Sequence, residues 1–200
     1  VAFWNGMGRE GITFHDGFWG GIDFGANGMA SHTPKKVFVN RGDGTFEERA
    51  FVEGFDTLED TRGLAYGDLD GDGAPDLVIA CFRGPLLVYM NRWGAPEKRI
   101  RVLLSEATGL NRDALGAVVT LRAGSKPQLR EVRSGSSYLS QSSHELLFGL
   151  GEARQADEIA VRWPDGRVES VTGVAGGSRV LWTEGEAPRI VTASPKLVAR

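Results

Sequence analysis

The sequence is poor in several residue types and patterns, and each deficit narrows the class of protein. Cys81 is its only cysteine, which excludes an intrachain disulfide, and its place in an apolar run predicts an inert buried thiol. No run reaches the ~20 apolar residues that span a bilayer as a helix. With 23 basic and 26 acidic residues, the net charge of −3 predicts no nucleic-acid partner, because such partners require a basic surface.

Histidine is also scarce, and its spacing matches no metal motif. The three histidines are His15, His32 and His144, and none stands in an H-E-x-x-H pattern. His15 with Asp16 forms an alternative candidate site, which would make the chain an accessory part of an enzyme. The serines within residues 140–143 lack the G-x-S-x-G pattern of a nucleophile and are predicted to cap turns.

Carboxylates are concentrated in one short loop, residues 68–76. Its four carboxylates come from Asp68, Asp70, Asp72 and Asp76, and two glycines that can form a turn lie among them. Calcium takes six to eight oxygen ligands at roughly 2.3–2.6 Å, so the loop predicts a Ca²⁺ site that uses these four carboxylates and the Ala74 carbonyl. The alternative is an acidic turn that binds no ion. Repulsion among the carboxylates in the absence of a cation argues against that alternative.

The segment after the loop excludes an EF-hand. An EF-hand places a bidentate Glu at the twelfth position and continues into a helix. The twelfth position here is Ile79, inside the apolar run of residues 77–82. This run is short, partly β-branched and bounded by Gly and Pro, which predicts a buried strand.

An internal repeat is visible when residues 20–28 are laid on residues 65–73. Asp23 and the turn glycine match, whereas Gly25 and Asn27 replace two of the acidic ligands. The two copies are about 45–50 residues apart, the size of one propeller blade. We expect the first copy to bind calcium weakly or not at all, and chance similarity of two Gly/Asp-rich turns is the alternative.

A similar Asn-Arg pair follows each copy, at residues 40–41 and 91–92. The first pair begins the segment Arg41-Gly42-Asp43, which spells the tripeptide that integrins recognise. The Asp-Gly chemistry around it predicts a hairpin turn instead.

The second half of the chain has a different pattern, with short apolar or alternating runs separated by Gly-rich turns. Several short strands at this spacing predict a sandwich or a small barrel. The boundary is predicted at residues 94–96, which gives a repeat region (1–95), a second β domain (96–185) and a C-terminal tail (186–200). The predicted strands of the second domain are 99–104, 117–122, 128–133, 145–148, 158–163 and 179–182.

The repeat region and the second half of the chain each resemble a known protein family. The acidic loop, the trailing Asn91 and the turn at residues 40–46 resemble the FG-GAP/VCBS repeats of calcium-binding β-propellers. The second half resembles the ASPIC/UnbV domain, whose marks occur here in the family's order: Asn111 to Ala117, Gly135 to Ser142, Phe148 to Gly151 and Trp163 to Gly166.

The resemblance implies an all-β protein in which partial β-propeller-type repeats precede a β-sandwich-like ASPIC/UnbV domain. It also implies an extracytoplasmic setting (secreted, cell-surface or periplasmic), bound calcium and a non-enzymatic interaction or structural role, with no catalytic residues to carry over. A closed propeller has four to eight blades, and this chain supplies at most about two.

The small number of propeller blades in this chain predicts a larger assembly. The chain starts at Val1 without an initiator Met, so we expect a processed product or part of a longer chain. Residues 1–50 are expected to pack on other chains or on upstream blades of a parent chain, through an edge flanked by four aromatic residues, Phe14, Phe18, Trp19 and Phe24. Any association with a membrane would be peripheral and would take place through a partner.

Overall fold

The structure is a computed structural model that describes residues 34–92, 95–107, 109–124 and 126–192. His15, Asp16 and His32 lie outside these ranges, as do the acidic loop copy at residues 20–28 and the N-terminal aromatic residues. The predictions made for them stay predictions.

The regular secondary structure of the described residues is almost entirely β, which confirms the predicted fold class. Its one helical element is a 3-10 turn at Pro96–Lys98. The strands, in chain order, are β1 Phe38–Asn40, β2 Phe46–Glu48, β3 Thr61–Gly67, β4 Asp76–Cys81, β5 Leu86–Tyr89, β6 Arg99–Ser105, β7 Val118–Ala123, β8 Lys126–Glu131, β9 Leu146–Gly149, β10 Gln155–Arg162, β11 Val168–Ala175, β12 Ser178–Thr183 and β13 Arg189–Thr192.

The chain divides into two compact units. The first unit is the chain up to Arg62 together with Ile79–Leu87, and the second is Gly63–Val78 together with the chain from Val88 onward. The acidic loop therefore belongs to the second unit. The boundary predicted at residues 94–96, between the repeat region and the second β domain, lies within that unit. It stays a prediction.

Two four-stranded sheets of the second unit form a sandwich. Their strand orders are β11-β10-β7-β8 and β13-β12-β6-β9. Strands β6 and β12 pair in parallel, and the other neighbouring strands of these two sheets pair antiparallel. One hydrophobic cluster draws residues from both sheets. These sheets, called the sandwich below, are open among the described residues.

Alternation along the strands produces the core of the sandwich. In β6, every second residue is buried, including Ile100 and Val102, because successive strand side chains point to opposite faces. Phe148 and Trp163 are also fully buried, and burial of a side chain of this size contributes about 1.5–3 kcal/mol. The residues between the buried positions of β6, Arg101 among them, lie on the outer face.

A hairpin and a three-stranded sheet precede the sandwich in sequence. Strands β1 and β2 form the hairpin, and its turn contains the Arg41-Gly42-Asp43 segment. The Asp43 carboxylate accepts the Thr45 N–H at 2.9 Å, and Gly42 and Gly44 have φ of 82° and 91°. The predicted hairpin turn is thus confirmed. The second sheet has the order β3-β4-β5.

Three strands were not predicted from the sequence. Strand β3 contains two glycines and an arginine in place of an apolar alternation. Strand β11 contains Gly173 at φ 69°. Strand β13 is exposed along its whole length and lies in the segment predicted as a C-terminal tail, whose limits stay a prediction. It pairs along β12, and main-chain pairing compensates for its lack of apolar burial.

Candidate metal centre

The loop between β3 and β4 brings three carboxylates together. One oxygen each of Asp68, Asp70 and Asp76 lies within 4.8 Å of the others. Strand β3 ends at Gly67 and strand β4 begins at Asp76, so the loop returns on itself over eight residues. This return places the first and last acidic residues of the loop side by side.

Asp76 is the most deeply buried member of the cluster, with 1% of its surface exposed. Its two oxygens accept the main-chain N–H groups of Leu69 and Asn91, each at 2.8 Å. A buried carboxylate requires such partners because its desolvation is otherwise costly. Asp76 therefore ties the start of the loop to the segment after β5.

Asp68 holds the turn of the loop. Its oxygens accept the N–H groups of Gly71 at 2.7 Å and Gly73 at 3.0 Å. Both glycines have positive φ, 75° and 88°, a conformation that glycine adopts without steric cost. The glycines allow the main chain to turn its amides toward the acidic side chain.

The structure separates Asp72 from the other acidic residues. The Asp70 carboxylate accepts the Asp72 N–H at 3.2 Å and belongs to the cluster. The Asp72 carboxylate accepts the Ala74 N–H at 2.7 Å, and Asp72 is not a member of the three-carboxylate group. The ligand roles predicted for Asp72 and for the Ala74 carbonyl stay predictions.

Two arginines that sequence reasoning missed complete the site. Arg101 Nη1 donates to Asp68 at 2.6 Å, and Arg92 Nη1 donates to Asp70 at 2.7 Å. Alternation along β6 places Arg101 on the outer face of its strand, and this is the one signal present in the sequence. Which carboxylate it meets there depends on the packing of the loop.

Calcium fits this donor set on chemical grounds. Carboxylate oxygens are the hard ligands that Ca²⁺ prefers, and the described cluster contains no thiolate or imidazole that would select zinc or copper. An oxygen that already accepts one N–H retains a further lone pair. The arginines show that the cluster attracts positive charge. Arg101 is itself a cation held at the position of the predicted ligands.

Backbone contacts join strand β3 to the serine-rich loop before β9. Ser142 Oγ accepts the Tyr66 N–H at 3.3 Å, and the Ser143 N–H donates to the Tyr66 carbonyl at 3.1 Å. Ser143 Oγ accepts the Glu145 N–H at 3.1 Å, and Ser140 Oγ donates to the Tyr138 carbonyl at 2.9 Å. Ser140 and Ser143 thus make the local turn contacts that were predicted, whereas Ser142 contacts the distant strand β3.

His144 pairs with an acidic residue. Its Nδ1 lies 3.7 Å from an Asp113 oxygen. Its Nε2 is buried without a hydrogen-bond partner among the described residues. Among the described residues, the imidazole makes no hydrogen bond to the neighbouring serines, so the structure offers no support for a nucleophilic serine here.

Comparison with known families identifies both regions of the chain. A model described as ASPIC and UnbV matches residues 107–189, and a model described as FG-GAP-like repeat matches residues 20–79. Over these ranges the chain is similar to ASPIC and UnbV domains and to FG-GAP-like repeats. The resemblance predicted from the sequence is therefore confirmed. The acidic loop falls inside the FG-GAP-like match, and strands β7 to β12 fall inside the ASPIC and UnbV match.

The relatives found are proteins named cartilage acidic protein 1. The protein from Xenopus tropicalis is 33% identical over 110 residues, which are 53% of this chain and 16% of the relative. The human protein is 33% identical over 114 residues, which are 55% of this chain and 17% of the relative. The chain thus spans about one sixth of the length of these curated relatives.

Within the described part of the chain, no helix has the length and apolar character needed to cross a membrane.

Proposed function

We propose that this chain is a calcium-binding, non-enzymatic interaction module that acts outside the cytoplasm. One observation carries the proposal: the carboxylates of Asp68, Asp70 and Asp76 meet within 4.8 Å in a glycine-containing loop. In this proposal, Asp72 and the Ala74 carbonyl supply further oxygens. The ion serves to neutralise the loop and to hold its turn.

We propose an extracytoplasmic setting because the loop resembles those of extracellular calcium modules. Extracellular calcium modules bind with Kd on the order of 10⁻⁴–10⁻³ M. A site of this strength fills only where calcium is abundant, as it is outside cells. The name of the relatives refers to cartilage, which supports an extracytoplasmic setting for this chain.

The interaction role rests on apolar side chains in the first unit. Phe46 is 63% exposed and Phe51 is 80% exposed. Large exposed apolar areas mark binding surfaces. We propose that protein covers this surface, either another chain or further repeats of a longer parent chain, that nucleic acid is not a partner, and that any membrane association occurs through a partner protein.

The absence of catalysis is proposed from the residue types at the loop. Carboxylates paired with guanidinium groups bind ions and one another, whereas nucleophilic or acid/base catalysis requires a reactive group beside a base. In the described residues, the loop offers the first arrangement. The role of the loop in this proposal is therefore structural.

Thermal unfolding with and without calcium tests the proposal. At millimolar Ca²⁺ we expect a gain in stability of about 1 kcal/mol relative to EDTA, given the affinity of extracellular modules. Asp70→Ala should remove most of this gain, because it removes one of the three clustered carboxylates. Magnesium at the same concentration should give a smaller gain, since it requires a tighter octahedral shell.

Asp43→Ala is the matched control. Asp43 also stands in an Asp-Gly turn, but its partner is Thr45 and it lies outside the acidic cluster. This variant should keep the full calcium-dependent gain. Identical melting curves of the native chain in calcium and in EDTA would contradict the proposal.

A further inference from the structure

Arg101 connects the acidic loop to the sandwich. It lies in strand β6 on the face opposite the core, and its side chain is 15% exposed where it meets Asp68, whose side chain is 12% exposed. A Cβ built on Gly73 would lie 3.5 Å from Arg101 Cζ, so the guanidinium also packs against the loop backbone. The pair is shielded from solvent far more than a surface ion pair.

A second arginine on the neighbouring strand makes a carboxylate partner for Arg101 more important. Arg179 of β12 stands directly opposite Arg101 in the parallel pairing, and like charges in such positions repel. Arg179 has its own partner, since its Nε donates to Glu145 at 2.6 Å. Asp68 is the corresponding partner of Arg101, so one carboxylate serves both the sandwich and the candidate metal site.

We infer that Arg101 regulates the metal site by acting as its resident counter-cation, so that a residue of the sandwich sets the calcium affinity of the loop. This inference rests on the calcium binding proposed above. In the absence of metal, the guanidinium neutralises part of the acidic cluster. When calcium binds Asp68, ion and guanidinium share one carboxylate and repel each other.

The size of the effect follows from Coulomb's law. A doubly charged ion and a guanidinium about 5 Å apart repel strongly enough, even at the dielectric constant of water, to weaken binding about tenfold. Coupling of this kind is reciprocal. Calcium should therefore weaken the Asp68–Arg101 pair by the same factor.

The test is a calcium titration of the full chain by calorimetry, with melting temperatures measured in EDTA. Arg101→Met should lower the Kd for Ca²⁺ about tenfold and should also lower the melting temperature in EDTA, because Asp68 then lies beside Asp70 and Asp76 without its cation. Arg101→Lys, which keeps the charge, should bind calcium as the native chain does. Arg101→Gln removes the charge but keeps a donor, and it replaces Arg101→Met if that variant does not fold.

Two arginines provide matched controls. Arg122→Met removes the same charge from a pair with Glu158 in the other sheet of the sandwich and should leave the Kd unchanged. Arg92→Met removes the cation beside Asp70, but that side chain is 67% exposed, so solvent screening should limit the change to about threefold or less.

Each outcome decides the inference. Equal calcium affinities for the native chain and Arg101→Met would overturn it and leave the proposed function standing, as would equal shifts for Arg101→Met and Arg122→Met. Absence of calcium binding in every variant would overturn both proposals. Binding by Arg101→Met alone would overturn the proposed function of the native chain and also the modest, tenfold form of the inference, because the arginine would then exclude the metal.

Discussion

The sandwich and the described part of the first unit use the same kind of strand but bury very different amounts of apolar surface. The sandwich encloses Trp163 and Phe148 completely. Among the described residues of the first unit, only Ala50 and Ile79 are buried hydrophobics, whereas Phe51 is 80% exposed. A sheet buries its apolar face only when a second layer covers it. The sandwich contains both layers, and the described residues of the first unit do not supply one.

The two units also differ in what holds their acidic turns. It belongs to the second unit, where Asn91 and Arg101 provide it with partners. The turn at Asp43 in the first unit is held by local contacts, those of Asp43 with Thr45 and of Asn40 with Gly42 among them. Long-range partners therefore distinguish the candidate metal site from an ordinary acidic turn.

The largest expected effect is on the core of the sandwich. Trp163→Ala should lower the free energy of unfolding by about 3–5 kcal/mol, because it removes a fully buried side chain and leaves a cavity. Phe46→Ala in the exposed hairpin should change it by no more than about 0.5 kcal/mol. Urea unfolding of both variants measures the contrast. A comparable loss of free energy of unfolding in Phe46→Ala would contradict this contrast, since it would show that Phe46 is packed as tightly as the core.

A smaller effect is expected at the anchor of the loop. Asp76→Ala should cost about 1–3 kcal/mol in EDTA, because the N–H groups of Leu69 and Asn91 lose their buried acceptor. Urea unfolding without metal is the measurement, and Asp43→Ala serves as the exposed control. If the loss occurred only in the presence of calcium, Asp76 would act as a ligand alone and not as a structural tie.

Solution behaviour should follow the exposed apolar side chains of the first unit. We expect the isolated chain to self-associate through them, and Phe51→Ser to lower the average mass measured by light scattering. Leu139→Ser is the matched control, because Leu139 is 88% exposed in a loop outside the first unit. Equal reductions for the two variants would assign the association to general hydrophobicity instead of this surface.

The smallest effect concerns pH and compares two turns. The Arg167 main-chain N–H, followed by its side chain, lowers the pKa of Asp165. The Thr45 hydroxyl, followed by its N–H, lowers the pKa of Asp43. A carboxyl whose pKa is lowered by folding contributes stability above its unfolded pKa and loses it as the pH falls through the folded value. Asp165→Asn should therefore flatten the acid limb of the stability curve.

The measurement is thermal unfolding between neutral and acid pH, with Asp43→Asn as the comparison in the first unit. Both turns are exposed and local, so we expect the two variants to behave alike. A rise in the stability of the native chain on acidification through this range would contradict the sign of the predicted effect.

Most of the strand positions could be predicted from local patterns. The run of residues 77–82 and the alternation of residues 99–104 correspond closely to β4 and β6. Strands β3 and β13 could not be predicted, because neither carries an apolar alternation. Partners elsewhere in the chain complete them: β4 beside β3 and β12 beside β13.

The sequence by itself determined most of the strands, the hairpin turn and the acidic loop, because side-chain alternation and glycine conformation are local properties. The tertiary structure alone decided that Asp68, Asp70 and Asp76 meet while Asp72 does not, and that Arg101 and Arg92 face this cluster. Local rules do not contain such contacts, since they depend on how distant strands pair and pack. The acidic composition is thus a property of the sequence, and its pairing with the arginines is a property of the fold.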